Sequence, residues 1–260
     1  MRPVVLCFSG LDPSGGAGLQ ADIEAIAALQ AHAAIACTAL TIQDSQQVYG
    51  FQTVNADLLA QQAAKVLADL PVKAIKCGML GTPEAVAVVK QICQQHPHIP
   101  LILDPVLVAN SGGSLTVEGF IDSLKQLFPY AHLLTPNTIE AERLTGLSVA
   151  DNEADVIKTL SDLGVKAVLL KGGHEHGQML RNRLYQDNKL VQTSHWPRLN
   201  AQFHGSGCSL ASAISAGIAN GLPLPIAVTR AEVWLQRSLQ NADFPHKNGQ
   251  AIPRRILGQI

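Results

Sequence analysis

The stretch Pro3-Val4-Val5-Leu6-Cys7-Phe8-Ser9-Gly10-Leu11-Asp12-Pro13-Ser14-Gly15-Gly16-Ala17-Gly18 decides the fold class. An unbroken apolar run from Pro3 to Ser9 predicts a strand buried on both faces, the habit of parallel sheets covered by helices. A glycine-rich turn follows, and then helical spacing through Ile23, Ile26, Ala27 and Leu29. Gly16-x-Gly18-x-x-Ala21 matches a dinucleotide fingerprint in letters only. Asp12-Pro13-Ser14 separates the strand from the glycines, and no clean acidic residue ends a second strand about 20 residues on. The turn reads better as a substrate loop in which Asp12 is an oriented hydrogen-bond acceptor. A helix N-cap made by Asp12 or Ser14 is the structural alternative.

Outward from this unit the same alternation continues. Strands are predicted over 35–42, 49–54, 74–77, 99–103, 132–135 and 165–170. Helices are predicted over 56–70, after Thr82-Pro83, around Glu140 and Glu142, and over 151–163 and 224–240. Residues 179–185 and 190–196, joined at Asp187-Asn188, read as a β-hairpin. The tail over 241–260 carries Pro245, Pro253 and two arginines and is expected to be loosely held. No repeat, linker or low-complexity segment interrupts the chain, so residues 1–260 are expected to form a single domain.

Most of these strands end in a polar or glycine cluster: Gly10-Leu11-Asp12, Gln43-Asp44, Gly78-Met79, Asp104-Pro105, Pro136-Asn137 and Lys171-Gly172-Gly173. An open parallel sheet binds ligands just beyond its carboxyl edge, so these clusters should converge. A second glycine stretch, Gln202-Phe203-His204-Gly205-Ser206-Gly207-Cys208-Ser209-Leu210, opens a run of small apolar residues with the character of a buried helix. Free N–H groups at such a helix start, backed by the helix dipole, bind anions. The same field should favour the Cys208 thiolate and lower its pKa.

Composition narrows the class. Of 260 residues, 47% are hydrophobic but only 4% aromatic, and the net charge is −1. With no basic run longer than a pair, neither nucleic acid nor an acidic membrane is an expected partner. No apolar run reaches the ~18 residues of a membrane span, and Met1-Arg2-Pro3 leads into a strand rather than a signal peptide. Five cysteines without a CxxC pair are expected to be reduced thiols in the cytoplasm.

An anion cradle, two carboxylates (Asp104 and Glu140) and Lys171 on one face make up equipment for phosphoryl transfer. A G-x-x-x-x-G-K-[ST] loop and a G-x-S-x-G elbow are both absent. His174-x-His176 has no Cys or His partner nearby and reads as solvated rather than metal-bound.

Six ordered motifs carry a resemblance that runs from residue 3 to about residue 240. They are Asp-Pro-Ser-Gly-Gly-Ala-Gly-x-Gln-Ala-Asp at 12–22, Lys-x-Gly-Met-Leu at 76–80, Asp-Pro-Val at 104–106, Thr-Pro-Asn-x-x-Glu-Ala at 135–141, Lys-Gly-Gly-His at 171–174 and His-Gly-Ser-Gly-Cys at 204–208. Together they resemble the hydroxymethylpyrimidine/phosphomethylpyrimidine kinases of thiamin biosynthesis, in the ribokinase-like superfamily. The resemblance implies a three-layer α/β/α fold with a mostly parallel sheet, ATP and Mg2+ as cofactors, and a small-molecule pyrimidine substrate. Its implied reaction is phosphorylation of 4-amino-5-hydroxymethyl-2-methylpyrimidine and then of its monophosphate. A homodimer is implied too, since members are often dimeric.

By motif, Gly205, Ser206, Gly207 and Cys208 would form an anion hole, with Cys208 in the place of the superfamily's aspartate base. Lys171, Asn137 and Ser206 would face the nucleotide, and Asp104 and Glu140 the metal. Gly10, Asp12, Ala17, Gln43, Met79 and Val106 would line the pyrimidine pocket. The chain departs from the family pattern in Leu11, in Leu199-Asn200-Ala201-Gln202-Phe203, in Ser206 for threonine, in Glu232 for a common lysine, and in a tail without Gly-His-Gly. Two alternatives stand beside this reading: a pyridoxal/pyridoxine kinase of the same fold, and a weakly active vitamin-binding or regulatory protein.

Overall fold

The computed structural model describes residues 1–107, 117, 119–173, 177–247 and 249–256. The amino-terminal half runs β1 (Val4–Leu11), α1 (Gly18–Ala28), β2 (His32–Gln43), β3 (Val48–Thr53), α2 (Ala56–Asp69), β4 (Val72–Cys77), α3 (Pro83–Gln95) and β5 (Leu101–Leu103). Then come α4 (Phe120–Lys125), β6 (Ala131–Leu134), α5 (Thr138–Thr145), α6 (Val149–Asp162) and β7 (Ala167–Leu170). The hairpin β8 (Met179–Gln186) and β9 (Lys189–Pro197) precedes α7 (Ser206–Ala219) and α8 (Leu224–Gln240).

Among the described residues, nine strands form one sheet in the order β3-β2-β1-β4-β5-β6-β7-β8-β9. Strands β2 to β7 of that order pair in parallel, and β3, β8 and β9 pair antiparallel at the two edges. The period of two along each strand sorts its side chains to opposite faces. Val4, Leu6 and Phe8 join the core beneath α2 to α6, whereas Val5 and Cys7 join the core beneath α1, α7 and α8. The result is the expected three-layer α/β/α arrangement, with the parallel strands presenting their carboxyl ends along one edge.

Local chemistry explains several boundaries. Thr82 caps α3 by accepting from the Ala85 N–H, with Pro83 at the first position. Asp187 and Asn188 both take positive φ (48° and 62°), the twist that a two-residue hairpin turn requires. Helix α6 starts at Val149 rather than 151, because the Ser148 hydroxyl accepts from the Asp151 N–H. Gly18 and Gly205 admit no other residue. Each has a positive φ, and a Cβ there would lie 2.2 Å from the Gly10 carbonyl oxygen or 2.1 Å from that of Gly16.

The tail corrects the expectation of loose attachment. Ala251 donates to the Gln202 carbonyl at 2.8 Å and accepts from the His204 N–H at 2.9 Å, while Asp243 and Ile252 form an antiparallel bridge. Ala251 and Arg255 are each 1% exposed. Polar composition and two prolines hid a segment held by backbone pairing and by one buried arginine.

Candidate active site

Helix α7 delivers its first turn to the carboxyl edge of the sheet. An α-helix leaves its first N–H groups without an internal acceptor, and the N-cap Gly205 has no side chain to supply one. The first turn therefore presents N–H groups and the positive end of the dipole to the cavity in front. The substrate loop comes from the other side. His204 packs on Gly16, and its Nε2 lies 2.7 Å from Asp12 Oδ2.

Asp12 is fully engaged. Its Oδ1 accepts from the Ser14 N–H and hydroxyl, and its Oδ2 accepts from the Ala17 N–H, each at 2.8 Å. Burial would raise its pKa, but hydrogen bonds from His204, Gln43 and Ser14 outweigh this and hold the carboxyl well below the usual range. Asp12 is thus an oriented acceptor, as expected, but for its own loop, His204 and Gln43. The N-cap of α1 is Ala17, so neither Asp12 nor Ser14 serves as that cap.

Opposite these loops sits a cluster of charge. Asp104, just past β5, accepts at Oδ1 from Lys171 Nζ at 2.9 Å and from the Thr135 hydroxyl at 2.8 Å. Burial works against its charge, and Lys171 and Lys76 overcome it, so the Asp104 pKa is lowered. Burial likewise opposes the charge on Lys171, yet Asp104 and Glu140 raise its pKa. Glu140 forms a capping box with Asn137 on α5: its Oε2 accepts from the Asn137 N–H at 2.8 Å and its N–H donates to Asn137 Oδ1 at 2.8 Å. Burial first, and then the Asp104 charge, push the Glu140 carboxyl up to about 7.

Two cavities meet at this cluster. The smaller, about 110 Å³, is lined by Gly10, Asp12, Ala17, Gln43, Met79, Asp104, Val106, Asn137, Glu140, Lys171, Gly205, Gly207 and Cys208. The larger, about 490 Å³, runs from Ser206 along 197–203 to Gln236 and Gln250. Asn137, Lys171 and Gly207 belong to both walls. The residues assigned by motif to the anion hole, the nucleotide, the metal and the pyrimidine pocket therefore all line one cavity or the other. His174 and His176 lie outside the described residues, among which no cluster of three or more His, Cys, Asp or Glu could hold a metal ion.

Cys208 departs from expectation in its acidity. Burial pushes the thiol up, and Asp104 and Asp22 add to the shift against opposition from Lys76 and a backbone hydrogen bond from Gly18. Desolvation outweighs the helix field. Lys76 and Asp22, both within the motifs quoted above, form a pair that sequence spacing does not reveal. Their side chains are fully buried 2.8 Å apart, with the Ser212 hydroxyl donating to Asp22 at 2.6 Å and Lys76 reaching Ser9 at 3.3 Å. A lysine within a buried strand was the signal available in the sequence.

Glu232, which stands where a lysine is common in the family pattern, lines neither cavity. It is 3% exposed and accepts from Asn182 and Ser194, each at 2.8 Å, tying α8 to the hairpin. Asn182 Oδ1 in turn accepts from the Gly172 N–H at 3.1 Å, which steadies the loop that carries Lys171.

A family model described as phosphomethylpyrimidine kinase matches residues 12–252. The chain belongs to this family. Hydroxymethylpyrimidine/phosphomethylpyrimidine kinase of Rhizobium meliloti is 35% identical over 247 residues, covering 94% of this chain and 92% of the relative. The crystal structure of phosphomethylpyrimidine kinase from Clostridium difficile superposes with a TM-score of 0.77 at 28% identity, covering 92% of this chain and all of that one (100%). Pyridoxal kinase from Staphylococcus aureus, in complex with AMP-PCP and pyridoxal, superposes with a TM-score of 0.88 at 26% identity, covering 100% and 96%. A phosphomethylpyrimidine kinase fold of this kind is ribokinase-like, and the chain is a phosphotransferase.

The raised Glu140 pKa has a stability consequence. Between its ordinary value of 4.5 and about 7, the folded protein binds more protons at this site than the unfolded chain does. Stability at this site therefore falls as pH rises through that window and stays lower above it. In chelator, Glu140→Gln should stabilise the protein at pH 8 by roughly 1–3 kcal/mol, with the gain vanishing near pH 4.5. Thermal melts of both proteins across that range check this. A gain independent of pH would show that the carboxyl is not held protonated by burial.

Proposed function

We propose that this chain transfers the γ-phosphoryl group of ATP to the hydroxymethyl oxygen of 4-amino-5-hydroxymethyl-2-methylpyrimidine, and then phosphorylates the monophosphate. The observation that carries this reading is the pair of cavities sharing Lys171, Asn137 and Gly207 as a common wall. The smaller chamber suits one ring, and the larger groove suits a nucleotide. A phosphoryl group passing between them crosses the start of α7. The names of the curated relatives support the pyrimidine, and AMP-PCP bound to the Staphylococcus aureus pyridoxal kinase supports ATP.

Phosphoryl transfer needs positioning and charge neutralisation more than covalent chemistry. Lys171 would face the phosphates from one side, and the N–H groups of Ser206, Gly207 and Cys208 from the other. The donor set fits Mg2+. Hydrogen bonds among the described residues engage Oδ1 of Asp104 and Oε2 of Glu140, leaving one hard oxygen on each carboxylate. One or two carboxylates completed by substrate phosphates is the way proteins hold this ion, and when bound it neutralises phosphate charge. Cys208 would accept the substrate hydroxyl proton as a thiolate, a form that burial disfavours and Lys76 favours.

The substrate chamber is walled by Met79, whose sulfur lies over Gly10, and by Val106. Gln43 is bonded to Asp12. A carboxylate only accepts, so the Gln43 NH2 turns toward it and the amide oxygen is left for the exocyclic amine of an aminopyrimidine. Pyridoxal offers a phenolic oxygen and no such amine. Structural similarity to pyridoxal kinases keeps pyridoxine-like alcohols as the second reading.

A second copy of the chain is the partner we propose. Leu40 and Ile42 share a face of β2, and Ile42 (66% exposed) and Tyr49 (61% exposed) leave apolar surface on the strand pair at one sheet edge. The continuous nine-stranded sheet supports a single kinase domain, and five free cysteines suit a reducing cytoplasm.

Three measurements test these assignments. A base of raised pKa makes kcat rise with pH above neutrality. Cys208→Ala should abolish that rise and lower kcat by roughly 10²-fold while nucleotide binding persists. A wild-type profile in the variant would remove Cys208 from proton transfer. Purified protein should consume ATP with the aminopyrimidine alcohol, and Gln43→Leu should lose roughly 10-fold or more in kcat/KM for it, improving relatively toward pyridoxine. Absence of pyrimidine-dependent ATP turnover in the wild type would overturn the kinase reading, and an unchanged ring preference in the variant would take Gln43 out of substrate recognition. Finally, light scattering should give twice the chain mass for the wild type and the single mass for Ile42→Glu. A monomeric wild type would refute the dimer.

A further inference from the structure

Near its end the described part of the carboxy-terminal tail packs behind the loop over 12–18 and the start of α7. Arg254 donates from its N–H to the Ser238 carbonyl at 3.1 Å, and the Ser238 hydroxyl donates back to the Arg254 carbonyl at 2.8 Å. This turns the next side chain inward. Arg255, 1% exposed, threads between α1, α7 and the substrate loop.

Its guanidinium makes contact on three sides. Nε donates to the Ser209 hydroxyl at 2.8 Å, Nη1 to the Gly15 carbonyl at 3.3 Å and to Glu24 at 3.2 Å, and Nη2 to the Gly16 carbonyl. Ser209 passes the contact on, since its hydroxyl donates to the Gly205 carbonyl at 2.7 Å. One planar cation thus ties the carbonyls of the substrate loop to the N-cap of the anion-binding helix. A peptide unit directs its C=O and N–H to opposite sides. Holding the Gly16 carbonyl on Arg255 therefore aims the Ala17 N–H at Asp12, and the following Gly18 N–H reaches the Cys208 sulfur.

We infer that Arg255 is a positioning residue for phosphoryl transfer: it sets the separation and orientation of the substrate loop against the α7 start, so that the substrate hydroxyl and the anion-binding N–H groups stay in line. The inference rests on the kinase reading of this site. Arginine suits the task because a rigid five-donor fork can hold several acceptors at once, which a lysine ammonium at the end of a flexible stem cannot. Misplacing reacting groups by about 1 Å costs up to ~10²-fold in rate, and does so without removing any group that touches the ligands.

Arg255→Ala should lower kcat by roughly 10-fold or more, leaving the dissociation constant for an ATP analogue within about twofold of wild type. Guanidinium ion at tens of millimolar should restore much of the lost kcat, where equal sodium chloride does not. Arg255→Lys should stay impaired. A second readout does not depend on the substrate: alkylation of Cys208 by iodoacetamide, followed by peptide mass spectrometry, should quicken in Arg255→Ala and slow again with guanidinium. Should the alanine variant fold poorly, Ser209→Ala cuts the relay from Arg255 Nε to the Gly205 carbonyl, leaves the contacts to Gly15, Gly16 and Glu24, and should lower kcat with nucleotide affinity intact. Unchanged kcat and alkylation in Arg255→Ala, or in Ser209→Ala where it replaces it, would overturn the inference. Loss without guanidinium rescue, or loss of kcat and nucleotide affinity together, would reduce Arg255 to a structural contact. A wild type that consumes no ATP with the pyrimidine, but whose Cys208 alkylation responds as described, would fail the kinase reading and leave the loop-holding role standing.

Discussion

The site depends on a contact that only glycine permits: the loop over 12–18 lies directly against the loop over 204–208. A Cβ on Gly205 would meet the Gly16 carbonyl at 2.1 Å, and one on Gly16 would meet the His204 ring at 2.0 Å. This approach brings the Gly18 N–H to Cys208 and closes the small cavity between the end of β1 and the start of α7. Gly10, Gly18, Gly205 and Gly207 thus contribute backbone to the chamber wall. Their positions vary less than those of long side chains, which suits a site that must align three reacting atoms. His204 and Arg255 hold the same pair of loops from opposite sides, one through Asp12 and the other through the Gly15 and Gly16 carbonyls.

Charge alternates beneath this contact. Asp22, Lys76, Asp104, Lys171 and Glu140 stand in a connected series, with Lys76 bridging to Asp22 and Lys171 to Asp104. Removing such ions from water is expensive, and it is tolerated because each has an opposite neighbour. Fully ionised, the series would hold three negative and two positive charges. Protonation of Glu140, pushed up to about 7, cancels the excess.

The alternation of buried runs with helical spacing sufficed to place the strands, because parallel strands buried on both faces show as continuous Val, Leu and Ile. Their polar ends marked the site, since topology puts the carboxyl ends of the parallel strands on one edge. Long-range contacts were not legible. Arg255 sits in a proline-bearing tail without periodicity, and its partners Gly15, Gly16 and Ser209 are distant in the chain. Residue type marks Glu232 only as a departure from a common lysine, whereas its environment, Asn182 and Ser194 of the hairpin, lies far from it in the chain. For Cys208, the helix dipole was visible in the sequence but the desolvation that outweighs it was not.

The scarcity of aromatic residues has a consequence at the same place. Helix α7 buries Ala211, Ala213, Ala216 and Gly217, and a Cβ on Gly217 would come within 3.0 Å of the Ala227 Cβ on α8. Small side chains let α7 settle close to β4 and α8, since interhelical distance follows the size of the residues at the contact. Larger residues along that face would lift the helix from the sheet. Its first turn would then rise away from Lys171, which now lies 3.3 Å from the Cβ position of Gly207. Because the field of a helix terminus falls off within a turn, such a lift would remove most of its effect on a bound anion. An alanine-rich core in this way brings the positive end of α7 within range of the sheet edge where the charged groups stand.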